Sequence, residues 1–126
     1  MGAMNNENSA QSIQVPLGSI SADGSVLAGY IPAKSKLKSC KLVNGAAIAQ
    51  SDTDYVDLQL KIGSTKLAGF STKLTGGNGA LSNGVLVDMV VESKEIPAGS
   101  KLEVVYDETG NIAMTNAHVV VEFYPL

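Results

Sequence analysis

A seven-residue phrase that occurs twice constrains this chain more than anything else in it: Ile31-Pro32-Ala33-Lys34-Ser35-Lys36-Leu37 and Ile96-Pro97-Ala98-Gly99-Ser100-Lys101-Leu102. In each copy a proline fixes φ and removes a backbone donor just ahead of an apolar run. That suits a corner leading into a β-strand and excludes a helix interior. Without a gap, the match continues to Gly45 against Gly110 and to Val56-Asp57 against Val121-Glu122. The spacing predicts one corner-strand-turn-strand unit used twice, with the copies at equivalent places in two sheets.

Alternation of apolar and polar residues extends this reading along the chain. Residues 1–12 open on Met1-Gly2-Ala3-Met4, which reads as an expression scar without signal-peptide character, and continue as the polar run Asn5 to Ser12. This stretch is expected to be an extended or flexible arm, and residues 13–126 a single β-sandwich domain. Strands are predicted over Ile13–Leu17, Val26–Tyr30, Leu37–Val43, Tyr55–Ile62, Lys66–Thr72, Val85–Val91, Leu102–Tyr106 and Ala117–Tyr124. Val56, Leu58, Leu60 and Ile62 fall on one face, as do Ala117, Val119, Val121 and Phe123, while Val120 and Tyr124 take the opposite face. Asn44-Gly45 carries the signal of a type I′ hairpin, Asp107–Asn111 reads as a turn, and the glycine-rich stretch from Thr75 to Gly84 reads as a loop. The expected class is all-β: one antiparallel sandwich or jelly roll of about eight strands with an extended N-terminal arm.

Composition narrows function chiefly by exclusion. All nine basic residues are lysines and the net charge is -3, so the planar guanidinium fork that suits phosphates and guanine edges is absent and nucleic acid is not expected as a partner. No apolar run approaches a membrane span, and Asp88 interrupts the longest candidate. The lone Cys40 supports no internal disulfide, consistent with synthesis in a reducing cytoplasm. Lys34, Lys36, Lys38 and Lys41 read as the solvated face of an edge strand, or else as a contact for an acidic protein surface.

Catalytic patterns are equally sparse. His118 is the single histidine, on the polar face of the last strand, and no Gly-x-Ser-x-Gly elbow is present. Asp52, Asp54 and Asp57 lack the glycine and closing glutamate of an EF-hand loop and read as a turn in which aspartates bond their own backbone. Gly76 to Gly79 has neither the lysine nor the helix of a phosphate loop. No catalytic residue, metal or cofactor is expected.

Several phrases together resemble small virion-surface proteins of tailed bacteriophages, of the capsid decoration or cement kind. They are Cys40-Lys41-Leu42-Val43-Asn44-Gly45-Ala46-Ala47-Ile48-Ala49, Ser51-Asp52-Thr53-Asp54-Tyr55-Val56, the glycine-rich middle, Ile96-Pro97-Ala98-Gly99-Ser100 and the closing aromatic strand. The resemblance implies a non-enzymatic virion structural protein, made in the host cytoplasm, that binds the outer capsid surface and stabilises it. Its implied partner is the major capsid protein, with further copies of itself as a trimer or dimer. The arm residues Asn5, Asn6, Asn8 and Gln11, together with Val120 and Tyr124, would then carry partner contacts. The other reading is a host-surface or carbohydrate-binding sandwich, such as a head fibre or receptor-binding domain, contacting its target through Gly76 to Gly84.

Overall fold

The chain runs through ten strands: β1 (Gln11–Ile20), β2 (Gly24–Ile31), β3 (Ser35–Val43), β4 (Tyr55–Ile62), β5 (Thr65–Ser71), β6 (Val87–Asp88), β7 (Val90–Val91), β8 (Glu95–Ile96), β9 (Ser100–Thr109) and β10 (Met114–Pro125). The computed structural model describes residues 10–126, and among these there is no helix. Every strand pairing is antiparallel. Sheet A has the order β1-β10-β3-β6, with β8 also on β3, and sheet B has the order β2-β9-β4-β5-β7. Pairing is nested: β1 with β10, β2 with β9, β3 with β6 and β8, and β4 with β5. A chain folded double in this way and rolled up is a jelly roll, which settles the choice the alternation left open.

The repeated corners explain the roll. The first copy leaves β2 in sheet B for β3 in sheet A, and the second leaves β8 in sheet A for β9 in sheet B. They cross side by side. Ile31 pairs with Ser100 and Ser35 with Ile96, so each corner's isoleucine faces the other's serine, and Gly99 N–H donates to Ile31 O at 2.8 Å. Ile31, Ile96, Leu37 and Leu102 are all buried. The buried hydroxyls of Ser35 and Ser100 are satisfied locally, donating to Ala33 O at 2.9 Å and Pro97 O at 2.5 Å.

Between the sheets lies one continuous core. Val56, Leu58 and Leu60 of β4 and Ala117, Val119, Val121 and Phe123 of β10 point into it as the alternation predicts, with Ile62 only half-buried. Each large side chain so buried contributes about 1.5–3 kcal/mol of transfer free energy.

Local departures from the sequence reading have identifiable causes. β1 begins at Gln11 rather than Ile13, because Gln11 and Ser12 already pair with Phe123 and Glu122. Asn5, Asn6 and Asn8 lie outside the described residues. Asn44-Gly45 forms no hairpin, since β3 and β4 lie in different sheets. Instead Asn44 is wholly buried as a polar staple: its Nδ2 donates to Ala46 O at 2.7 Å and its Oδ1 accepts from Thr115 N at 2.8 Å. The expected strand over Val85–Val91 splits into β6 and β7 on different sheets, with Met89 buried between them. β9 runs through Asp107 and Glu108, and the turn falls at Gly110, whose φ is 79°. The glycine-rich loop is pinned at Leu81, which exchanges two backbone hydrogen bonds with Ile48.

Candidate docking face

The outer face of sheet A gathers the lysine-rich segment and two of the residues singled out in the sequence. β3 alternates inward Leu37, Cys40 and Leu42 with outward Lys36, Lys38 and Lys41. The alternation absorbs one extra residue at a bulge, where Glu122 pairs with Ser39 but Phe123 with Leu37, leaving Lys38 unpaired and turned to solvent. The expected edge strand is corrected here: β3 lies inside sheet A, between β10 and the short β6 and β8. Its lysines form a row across a sheet face.

Val120 stands opposite Lys41, and Tyr124 opposite Lys36, on the neighbouring β10. Lys38 Nζ lies 5.9 Å from the centroid of the Tyr124 ring, close enough for a cation–π contact. Ser39 Oγ donates to Glu122 Oε1 at 2.6 Å, and that bond, followed by the charges of Lys38 and Lys41, holds the Glu122 carboxyl below its ordinary range. Gln14 and Pro16 of β1 extend the face past Val120 and His118. Gln11 lies elsewhere, at a shallow apolar groove along the free edges of β1 and β2 with Tyr30, Pro32, Phe123 and Pro125. The structure therefore unites Val120 and Tyr124 and sets Gln11 apart.

His118 makes a local contact, its Nδ1 3.2 Å from Asn116 O. Cys40 cannot serve it, because that thiol points into the core against Met89 Sδ at 3.3 Å, and burial pushes its pKa up to about 12. The aspartate-rich turn is organised differently from the expectation. Ser51 Oγ accepts from the backbone N–H groups of Thr53 and Asp54, both at 3.1 Å. The aspartates reach other loops: Asp52 accepts from Thr75 N and Oγ1, each at 2.8 Å, and Asp54 accepts from Asn111 N at 2.7 Å. Those bonds hold the Asp52 carboxyl below its usual range.

Charge separates the two sides of the sandwich. On the strands of sheet A, Lys36, Lys38 and Lys41 match Asp88, Glu95 and Glu122 in number, and Lys34 and Lys94 in the flanking turns tip the balance to positive. Around sheet B and its loops the balance reverses, with Asp23, Asp52, Asp54, Asp57, Asp107 and Glu108 adding to Glu92 and Glu103 against Lys61, Lys66, Lys73 and Lys101. Among the described residues, Lys66–Glu92 at 2.7 Å is the one ion pair; on sheet A, Asp88 stands opposite Lys41 and Glu95 opposite Lys36 across the strands without closing to an ion pair.

Leu27 on β2, which the sequence reading did not single out, is exposed, and so is Tyr30 on the same strand. A register shift between Leu27 and Gly29 buries Ile31 and turns Tyr30 out, and a simple period of two does not reveal it.

No protein-family model matches the sequence, and no curated protein matches it. Solved structures do match in three dimensions. A chain of the cyanophage Pam1 capsid asymmetric unit overlays with a TM-score of 0.62 at 12% identity, over 95% of this chain and 87% of that one. What the two share is the fold. Looser overlays include the C-terminal CBM6 of LamC, a marine laminarinase from Zobellia galactanivorans, with a TM-score of 0.40 at 15% identity over 90% and 99% of the two chains. A VP2 protein of infectious bursal disease virus overlays at 0.38 and 12% identity, over 90% of this chain and 31% of that one.

Proposed function

We propose that this protein is a non-enzymatic virion structural protein that binds the outer surface of a phage capsid, and that it docks through the outer face of sheet A. The observation that carries the reading is the lysine row of β3 beside Val120 and Tyr124, a partly apolar sheet face whose ammonium groups suit an acidic protein surface. Further support comes from the near whole-chain likeness to a chain found in a cyanophage capsid. The partner is the major capsid protein.

Each exposed lysine contact is weak alone, of the order of 1 kcal/mol or less. Stabilisation of the particle then comes from number. A protein that binds the assembled lattice and not the separated subunits stabilises it by linkage, and many copies add their effects. The protein acts as a homo-oligomer, a trimer or dimer, with Asn5, Asn6, Asn8 and Gln11 reaching a neighbouring copy or the capsid.

The test is to add purified protein to undecorated capsids, count bound copies by electron microscopy and compare thermal rupture with and without it. Copies comparable in number to the capsid subunit and a raised rupture temperature support the proposal. Binding at a few sites without any effect on rupture overturns it in favour of a receptor-binding role.

A further inference from the structure

The opposite side of the sandwich holds a second surface that docking through sheet A leaves unused. A groove of about 520 Å³ lies on the outer face of sheet B, over β4 and β5 and under the loop that follows β5. That volume falls within the range of about 300–1,000 Å³ usual for small-molecule sites. Gly69 opens it. In the outward row containing Gln59 of β4, Gly69 of β5 and Val90 of β7, the central position carries no side chain. A Cβ there would come within 2.6 Å of Lys66 Cε, whose side chain passes over the glycine to reach Glu92.

The lining defines what could occupy the groove. Acids and bases balance, with Lys66 and Lys73 against Asp57 and Glu92, so neither a polyanion nor a cation is favoured. Asn78 closes the backbone edge of β5: its Oδ1 accepts from Ser71 N at 2.7 Å and its N–H donates to Ser71 O at 2.8 Å. The backbone N–H and C=O of Ser71 are thus both engaged, which blocks the addition of a peptide strand at this point of the edge. With its Oδ1 committed, Asn78 has its amide hydrogens left to donate, beside the amide of Gln59 and the carboxylate acceptor of Asp57. At the ends, Val90 is half exposed and Tyr55 offers its ring, over which Lys73 Nζ sits 5.5 Å from the centroid.

We infer that this groove binds a neutral saccharide, its hydroxyls held by Asp57, Gln59 and Asn78 and its C–H faces against Tyr55 and Val90. Mixed donors and acceptors on a charge-balanced floor with small apolar ends match a hydroxyl-rich neutral ring better than any peptide, nucleotide or ion. The site faces away from the sheet A surface, so a copy seated on a capsid would present it to the surroundings.

Ligand-observed saturation-transfer NMR on the intact protein tests this, using glucose, galactose, mannose, N-acetylglucosamine, cellobiose, maltose and lactose at millimolar concentration, followed by a glycan array. We expect transfer to at least one neutral sugar. Binding should weaken about tenfold or more in Gln59→Ala and in Asp57→Ala, the equivalent of one or two hydrogen bonds, with both variants still folded by circular dichroism. A Lys38→Ala variant on the other face should bind as the parent does. Silence across the panel and the array, binding of sulfated glycans alone, or transfer undiminished in both groove variants would each overturn the inference. Capsid binding is read out separately, and neither result decides the other.

Discussion

The two copies of the corner unit agree at a few core positions and differ on their outer faces. Inside, Ile31 and Ile96, Leu37 and Leu102, and Val56 and Val121 match and are all buried, whereas buried Leu42 corresponds to exposed Asp107. Outside, related positions have diverged, with Lys38 against Glu103 on β3 and β9, and Tyr55 and Gln59 against Val120 and Tyr124 on β4 and β10. The core tolerates little change of volume, which suits matched residues at the two corners, whereas each outer face is free to take its own charge and shape. A basic row occupies one face and a polar groove the other.

The strongest way to break this comparison is to truncate the twin corner leucines. Leu37→Ala and Leu102→Ala should each lower stability by about 2–5 kcal/mol, and by similar amounts, in urea unfolding. If one is costly and the other nearly silent, the corners are not equivalent. Next in size is the outer-face test. Changing Lys36, Lys38 and Lys41 together to glutamate should lower capsid binding at least tenfold in a sedimentation assay while shifting stability by about 0.5 kcal/mol or less per site. Asp57→Ala on sheet B should leave capsid binding intact, and parental binding should fall as salt is raised.

A smaller effect concerns Glu108, at the acidic end of β9. Its carboxylate oxygens are shielded from solvent, and burial first, then the Asp23 charge, raises its pKa against a weaker opposing interaction with the Met114 backbone N–H. A raised carboxylate favours the fold only while protonated, so that contribution is present below the ordinary carboxylate range and is lost as pH rises through the raised value. Glu108→Gln should therefore stabilise the protein at neutral pH by up to about 1 kcal/mol, and the gain should vanish in acid, as melting temperatures at the two pH values will show. Least in energy is the Cys40 thiol, beneath the lysine row. With its pKa near 12, it should resist a thiol reagent at neutral pH until the chain unfolds, while the lysines above it label freely.

Strands with one wet face were legible because burial imposes a period of two, as in Val56 to Ile62 and Ala117 to Phe123. The doubled corner was legible because proline leaves few conformations open. Bulges were not. The extra residue at Lys38 and the shift after Leu27 change which side chains face out, and each is decided by pairing with a distant strand. Asn44-Gly45 misled for the same reason: its local turn preference lost to a buried amide bonded to Ala46 and to distant Thr115. The groove was invisible because it forms only where Gly69, Gln59 and Asn78 meet across β4, β5 and a loop.

The nesting of the strands bears on how the chain acquires its shape. Only β4 and β5 are joined by a tight reversal, at Gly63 and Ser64, with Gly63 at φ 57°. Once that hairpin closes, β3 with β8, then β2 with β9, then β1 with β10 each span a loop already shortened by the pair inside it, which lowers the entropy lost at every step. We expect amide protons to exchange in the reverse order, with β1 released first and β4 last in native-state hydrogen exchange.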